Sequence, residues 1–329
     1  MGSFKDVVGH KDIINYIRSA VEKDQVSHAY ILNGERGAGK KLLANLFAAS
    51  LQCEKGGPDP CNNCHSCRQA ESGNHPDIIR VTHEKPNSIS VDDIREQVNN
   101  TIMIKPYQSP YKVYIIDHAD MMTPQAQNAL LKTIEEPPQY AVIMLLVENA
   151  EILLPTINSR CVMLRLRYIK DVLIKKYLME NLKVPDYKAD LCTAFAQGNM
   201  GHAIMLANSE HFNEIREEAV QMLRNIHEME LSEIIETVNR ITVYKVEISD
   251  YLDIVMVWYR DVLLYKATRD IETVVFKDQI NYIKEQAKNS SYEGIQLILS
   301  SFERAKSRLK ANVNFELTME LLFLTIKEN

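Results

Sequence analysis

Two different hydrophobic patterns divide the chain near residue 167. Before that point, short apolar runs alternate with helical segments, as is typical of a parallel sheet with crossover helices. The runs lie in HAYILNG, PDIIRVT, YKVYIIDHAD and YAVIMLLVEN. After SRCVMLRLRYI, the apolar positions recur with helical spacing to the end of the sequence. The pattern therefore predicts an α/β core followed by an all-helical region.

A break at QGNMGHAIMLANS subdivides the helical region. Gly198 and Gly201 are interpreted as helix terminators, because glycine readily adopts the left-handed conformation that ends helices. The sequence thus predicts an α/β domain over residues 1–167, a small helical domain over 168–208 and a larger helical domain over 209–329.

Composition limits the class of protein. With 329 residues, 46% hydrophobic and 25% charged, the chain resembles ordinary globular proteins. A net charge of −6 argues against a protein that coats nucleic acid through bulk positive charge. No stretch approaches the roughly 20 apolar residues of a membrane span, and MGSFKDVVGHKD lacks the apolar core of a signal peptide. We expect a soluble, cytoplasmic protein with no membrane association.

The stretch NGERGAGKK matches most of a phosphate-binding loop, G-x-x-x-x-G-K-[ST]. Gly34, Gly39 and Lys40 fit the pattern, and Gly37 adds to the glycines that let backbone N–H groups face a phosphate. Lys41 stands where the magnesium-binding hydroxyl belongs, and its ammonium would repel a divalent cation. A degenerate nucleotide site with weak or absent binding is predicted; a plain glycine-rich turn and a working site are the alternatives.

A second apolar run, YKVYIID, ends in Asp117, the position from which an acidic residue holds magnesium in this class of ATPase. His118 follows, where hydrolysis needs a carboxylate to orient or deprotonate water. Asp117 is therefore a candidate relic ligand. An aspartate that merely caps the next turn is the alternative.

Four of the six cysteines lie within fifteen residues, in CEKGGPDPCNNCHSC. Cys53, Cys61, Cys64 and Cys67 have a spacing that can surround one tetrahedral zinc, while six cysteines are too sparse for a disulfide scaffold. Because four thiolates leave no open position for a substrate, the predicted Zn²⁺ is structural. An iron–sulfur cluster is the alternative, and His65 is left outside the ligand set.

The segment TPQAQNALLKTIEEPP predicts an amphipathic helix between two strands. Thr123 can cap it, Pro124 suits its first position, and Pro137 with Pro138 ends it.

Several of these segments together resemble the AAA+ clamp-loader subunits of bacterial DNA polymerase III. The similarity lies in AQNALLKTIEEPP, LLPTINSRC, FKDVVGH with HAYILNGERGAGK, and the inserted four-cysteine module. It covers residues 4 to about 208 by motif, and WYRDVLLYK and NVNFELTMELLFL are similar to the family's helical collar. The resemblance implies a P-loop-type AAA+ core, a small helical lid and an oligomerising collar.

The departures from the family's ATPase motifs select among its subunits. In the hydrolysing tau and gamma subunits, the phosphate loop ends in Lys-Thr or Lys-Ser, and the acidic strand ends in Asp-Glu. A Thr pair precedes the arginine-finger segment, and the lid carries a Gly-Ser-x-Arg-Asp motif. Here those places are held by Lys41, His118, the Val147–Glu148 pair, and Gly201 with His202. In the hydrolysing subunits all four of these elements contact ATP, so their joint replacement implies a subunit of the delta-prime type. Such a subunit belongs to the polymerase holoenzyme but has no ATPase or polymerase activity of its own.

One functional element of the family remains, Arg160 in SRC. The resemblance implies that Arg160 is an arginine finger that enters the ATP site of a neighbouring subunit; taken alone, it would be an ordinary surface arginine. The implied partners are tau or gamma and delta subunits in a hetero-pentameric ring, the sliding clamp, and primer-template DNA through the complex.

Two rival functions stay open at this point. The chain would be an active tau/gamma-type ATPase if it turned over nucleotide despite Lys41 and His118. It would be a zinc-dependent nucleic-acid-binding protein if the cysteine module itself contacted DNA, although Lys55 and Arg68 are the few basic residues immediately nearby.

Overall fold

The computed structural model describes residues 2–85, 88–245, 248–311 and 313–329, so that Asn312 of the NVNFELTMELLFL segment lies outside the described residues. The chain divides into two compact units. The first comprises Met1–Ile174 with Gln197–His202, and the second comprises Lys175–Ala196 with Ala203–Asn329. The finer three-domain division at residues 167 and 208 stays a prediction.

A five-stranded parallel sheet forms the centre of the first unit, as the apolar runs predict. Its strands are β1 Ala29–Asn33, β2 Ile78–Arg80, β3 Lys112–Ile116, β4 Ala141–Val147 and β5 Val162–Arg165. They lie in the order β2-β3-β4-β1-β5. Because the strands are parallel, the segments that follow β1, β3 and β4 emerge at one edge of the sheet.

Helices cover both faces of this sheet. They are α1 Lys11–Glu22, α2 Lys40–Leu51, α3 His65–Ser72, α4 Val91–Ile94, α5 Asn100–Ile102, α6 Pro124–Glu135 and α7 Pro155–Asn158, with a π-helical turn, Arg95–Asn99, joining α4 to α5. Successive residues of β1 face opposite sides: Tyr30 and Leu32 belong to one apolar cluster, Ala29 and Ile31 to the other. A strand buried on both faces explains the continuous apolar runs of the sequence.

Helix α6 has the ends that its sequence predicts. The Thr123 hydroxyl accepts a hydrogen bond from the backbone N–H of Ala126 at 3.2 Å, and Pro124 occupies the first turn. The helix ends at Glu135, two residues before Pro137. Ala126, Leu130 and Ile134 are buried on one face against the sheet.

The rest of the chain is helical. The helices are α8 Asp171–Asn181, α9 Asp186–Ala196, α10 Met200–Asn208, α11 Glu210–Asn225, α12 Leu231–Ile241, α13 Ile248–Thr268, α14 Ile280–Asn289, α15 Tyr292–Lys310 and α16 Phe315–Glu328. In the second unit, α13 carries the buried Trp258, whose indole N–H donates to Gln286 of α14 at 2.7 Å. No helix in the described part of the chain has the length and apolar character to cross a membrane.

One of the two predicted helix terminators is corrected. Gly198 follows α9 with φ +85°, in the left-handed region that ends helices. Gly201 instead lies inside α10, near its start. Its lack of a side chain serves packing, because a Cβ atom at this position would lie 2.6 Å from the carbonyl oxygen of Gly37.

Candidate functional site

The phosphate-binding loop lies between β1 and α2, in the strand–loop–helix setting that the motif requires. Gly37 has φ +85° and Gly39 has φ +100°, both in the left-handed region that glycine adopts without strain. Gly39 is the N-cap of α2 and Lys40 its first residue. The structure therefore gives this segment the form of a phosphate loop at a helix N-terminus.

Lys40 is turned back onto the loop that it follows. Its buried ammonium donates hydrogen bonds to the carbonyl oxygens of Gly34, at 2.5 Å, and Glu35, at 3.0 Å. Burial lowers the pKa of Lys40 below its usual value, and nearby carboxylates, Glu148 foremost, oppose that shift. The lysine that pairs with terminal phosphates in active sites is here satisfied by backbone oxygens.

Lys41 stands where the motif places the magnesium-binding hydroxyl, and its side chain lies beside Asp117. Its ammonium nitrogen lies 3.3 Å from Asp117 Oδ2. The other carboxylate oxygen of Asp117 accepts the backbone N–H of His118 at 3.1 Å. An ammonium cannot coordinate a metal, and it already neutralises the acidic ligand. The residues present do not fit magnesium.

The two remaining replacements also lie at this site. Glu148 is exposed directly after β4, and it contributes negative charge near Lys40. Gly201 donates its backbone N–H to the carbonyl oxygen of Gly37 at 3.0 Å, while the backbone N–H of His202 donates to Asn199 at 3.1 Å. A short segment, residues 197–202, thus lies directly against the phosphate loop.

Asn199 is a site residue that the sequence analysis missed. Its side-chain amide donates to the carbonyl oxygen of Arg36 at 2.7 Å, and its Oδ1 would lie 2.7 Å from a Cβ atom at Gly37. The side chain is buried although it is polar. Its position directly after Gly198 suggested only a helix end, since nothing local in the sequence indicates a contact with residue 36.

A cavity of about 600 Å³ adjoins the loop. Its lining includes His10, Gly34, Glu148, Arg165 and Tyr168. A cavity of this size is large enough for a small ligand. The Tyr168 hydroxyl donates to Glu35 at 2.5 Å, and the His10 ring lies 3.1 Å from the carbonyl oxygen of Ala38. Burial lowers the pKa of His10.

Arg160 lies between α7 and β5. Its guanidinium contacts Glu135 at 3.0 Å and donates to the carbonyl oxygen of Thr156 at 3.1 Å and the hydroxyl of Ser159 at 3.3 Å. The side chain remains 41% exposed. Arg160 is therefore accessible to another molecule while it is held by its own chain.

The four predicted cysteines come together in space. Their sulfur atoms all lie within 4.8 Å of one another, and Cys61 and Cys67 are 4.0 Å apart. A tetrahedral zinc with Zn–S bonds of about 2.3 Å requires sulfur separations of about 3.8 Å, so the cluster fits one ion. An iron–sulfur cluster fits less well, because its own iron and sulfide atoms would hold the thiolates farther apart.

Backbone N–H groups point at these sulfurs. The backbone N–H of Cys61 donates a hydrogen bond to the sulfur of Cys53 at 3.4 Å. The N–H of Cys64 donates to Cys61 at 3.4 Å, and that of Cys67 donates to Cys64 at 3.3 Å. Hydrogen bonds from Asn63 and Cys64 lower the pKa of Cys61 to about 6, whereas burial raises the pKa of Cys53 and of Cys67. Cys161 and Cys192 lie outside the cluster, and burial raises their pKa to about 12 and about 11.

Comparisons with known proteins agree with this architecture. Two family models match: "DNA polymerase III, delta subunit" over residues 9–170 and "DNA polymerase III, delta subunit, C terminal" over residues 210–328. The DNA polymerase III subunit delta' of Bacillus subtilis is 32% identical over 320 residues, which cover 96% of this chain and 95% of that protein. The tau subunit of the same organism is 28% identical over 343 residues, which cover 96% of this chain and 60% of the tau subunit.

A solved gamma subunit-related protein from Thermotoga maritima is 20% identical, with a TM-score of 0.46, and the match covers 96% of this chain and 98% of that chain.

The parallel sheet, the phosphate loop and the cysteine module define a P-loop core of the AAA+ class with an inserted four-thiolate cluster. The whole-length similarity then identifies the family. The chain belongs to the clamp-loader family of DNA polymerase III subunits.

Proposed function

We propose that this chain is a delta-prime-type subunit that does not hydrolyse ATP and acts within a clamp-loader ring. The observation that carries the proposal is the ion pair of Lys41 with Asp117. It places an ammonium beside the carboxylate from which an ATPase holds magnesium. Phosphoryl transfer relies on the charge of a metal ion and a lysine at the phosphates, so this arrangement favours a site that does not hydrolyse ATP.

The partners follow from the same proposal. The ring would contain tau or gamma and delta subunits, and it would place a sliding clamp on primer-template DNA in the cytoplasm using ATP hydrolysed by the neighbours. The four-cysteine cluster would hold one structural Zn²⁺, since its four protein ligands leave no open coordination position.

In this ring, Arg160 would complete the ATP site of a neighbouring subunit. A guanidinium stabilises charge on the transferring phosphoryl group, and it can contribute ~10³-fold or more to the rate in related NTPases. The exposed guanidinium, already held by Glu135 and two oxygens, suits a group that acts outside its own chain.

The test is ATP turnover by a reconstituted loader with clamp and primed DNA, comparing the native chain with Arg160→Ala. We expect a clear fall in turnover while assembly, measured by gel filtration, is unchanged. Lys23→Ala is the control, because it also removes one positive charge, and Lys23 is exposed with no side-chain hydrogen bond or ion pair among the described residues. Equal turnover by native and Arg160→Ala loaders would contradict the finger.

The second candidate function, an active tau/gamma-type ATPase, is supported by the retained loop conformation and by the similarity to tau. Lys41 argues against it, because it replaces the magnesium-binding hydroxyl and pairs with Asp117. The zinc-dependent nucleic-acid-binding alternative is less well supported, because few basic residues flank the four cysteines.

A further inference from the structure

The guanidinium of Arg160 is held at both of its terminal nitrogens. One terminal nitrogen lies 3.0 Å from Glu135 Oε1. The other donates to the carbonyl oxygen of Thr156 and to the hydroxyl of Ser159. Two of these three partners belong to the turn that carries Arg160 itself, whereas Glu135 comes from a different helix. The carboxylate therefore links the arginine to α6.

Glu135 occupies an electrostatically unfavourable place. It is the last residue of α6, and a helix C-terminus carries partial negative charge that favours cations over carboxylates. Lys132 already adds positive charge to the last turn, but the carboxylate of Glu135 itself pairs with the Arg160 guanidinium. A residue that opposes a local preference and is compensated by one specific partner is a candidate for a role in the function of that partner.

Both side chains are partly open to solvent. Arg160 is 41% exposed and Glu135 is 44% exposed. An arginine side chain with this much freedom populates many rotamers unless contacts restrict it. The Glu135 contact holds the guanidinium in one orientation before any partner binds, while leaving part of its surface accessible.

We propose that Glu135 is a positioning residue that orients Arg160 for its action on the neighbouring subunit's ATP, an inference that rests on the proposed trans role of Arg160. Preorganisation matters because a charged group that is already in place requires no reorganisation when the transition state forms. The effect of Glu135 is carried entirely by Arg160, so removing the carboxylate lowers kcat and leaves the substrate KM unchanged.

The neighbouring residue offers a matched control. Glu136 is also acidic, is exposed at the C-cap of α6, and has no side-chain hydrogen bond or ion pair among the described residues. Glu136→Gln changes net charge by the same amount, one position along the chain. A difference between Glu135→Gln and Glu136→Gln therefore isolates the contact with Arg160 from a change in overall charge.

The experiment measures steady-state kcat and KM of the reconstituted loader with clamp and primed DNA. The chains compared are native, Glu135→Gln, Glu135→Ala, Glu136→Gln, Arg160→Ala and the double variant Glu135→Ala with Arg160→Ala. Thermal melting and gel filtration of each loader confirm folding and assembly. Exposed ion pairs contribute modestly, so we expect Glu135→Ala to lower kcat about two- to fivefold, Glu135→Gln to lower it less, and Glu136→Gln to have no effect.

The double variant separates the possible failures. If Glu135 acts through Arg160, the double variant has the kcat of Arg160→Ala alone, because the two changes are not additive. An unchanged or raised kcat in Glu135→Ala, or a loss that persists without Arg160, overturns the positioning role while leaving the proposed function intact. Native turnover in Arg160→Ala instead overturns the proposed trans role of Arg160, on which this inference rests.

Discussion

Lys41 decides the character of the phosphate loop at the scale of a single residue. The loop keeps the left-handed glycines Gly37 and Gly39 and the strand–loop–helix geometry of an ATP site. The ammonium of Lys41 nevertheless lies 3.3 Å from Asp117, where it opposes the binding of a divalent cation by the carboxylate. One substitution thus changes the chemistry of a site without changing its backbone.

Replacing Lys41 by threonine tests this interpretation. Lys41→Thr frees Asp117 and supplies the missing hydroxyl, so magnesium should now assist nucleotide binding. We expect a fluorescent ADP to bind the variant at least about threefold more tightly with Mg²⁺ than with EDTA, and the native chain to show no such preference. Fluorescence anisotropy titrations of the full chain provide the measurement.

Lys23→Thr serves as the control for the titration, since Lys23 is exposed at the end of α1 and remote in sequence from the loop. A native chain that already binds ADP more tightly with magnesium would contradict the assignment of Lys41. Unaltered binding in Lys41→Thr would show that the contacts of Lys40 or Asn199, rather than Lys41, keep the site inactive.

At the scale of the element, the cysteine module shows how a short insertion organises itself. Three successive N–H···S hydrogen bonds connect its cysteines, and α3 begins at His65, directly after Cys64. The side chain of Cys64 caps that helix by accepting the N–H of Cys67. Cys61, Cys64 and Cys67 therefore lie on a turn and a helix start, while Cys53 follows the end of α2.

Removal of one ligand should empty the module. We expect the native chain to hold about one zinc and Cys61→Ser to hold little, because structural sites need all four ligands. Metal analysis after gel filtration provides the measurement, and a lower melting temperature should accompany the loss, since metal binding energy contributes to folding. The control variant Cys161→Ser, which changes a cysteine outside the cluster, should hold as much zinc as the native chain.

A Cys61→Ser chain with full zinc content would show that another group, such as the adjacent His65, completes the ligand set. An absence of zinc from the native chain together with bound iron would favour the iron–sulfur alternative.

The whole molecule combines a parallel-sheet unit with a helical unit. Its ATP-related groups, Lys40, Lys41, Asp117 and Glu148, lie at the carboxyl edge of the sheet, where a nucleotide would bind in an active relative. The contact of Lys41 with Asp117 supports the proposal that this chain does not hydrolyse ATP itself.

The isolated chain should therefore have no ATPase activity. We expect phosphate release with Mg²⁺ and ATP to equal that of Lys40→Ala, because both chains lack a functional metal site. A sensitive phosphate assay on matched preparations provides the measurement. Magnesium-dependent turnover that disappears in Lys40→Ala would establish the active ATPase alternative instead.

The sequence predicted the fold well where its signals are local. The four apolar runs form β1 to β4, and Thr123 and Pro124 begin α6 as expected. It failed at Gly201, which was interpreted as a terminator although it lies within α10. The reason for glycine there is the backbone of Gly37, far away in the sequence, and no local pattern contains that information.

The sequence by itself determined the strands, the helices, the four thiolates and the replacement of the magnesium-binding hydroxyl, because residue type and spacing govern these features directly. Only the tertiary structure decided what the replacements contact. Lys41 with Asp117, Asn199 with Arg36, and Arg160 with Glu135 are pairs of residues separated along the chain. Folding brings such residues together through the register of the sheet and the packing of helices, so their contacts follow from the whole fold.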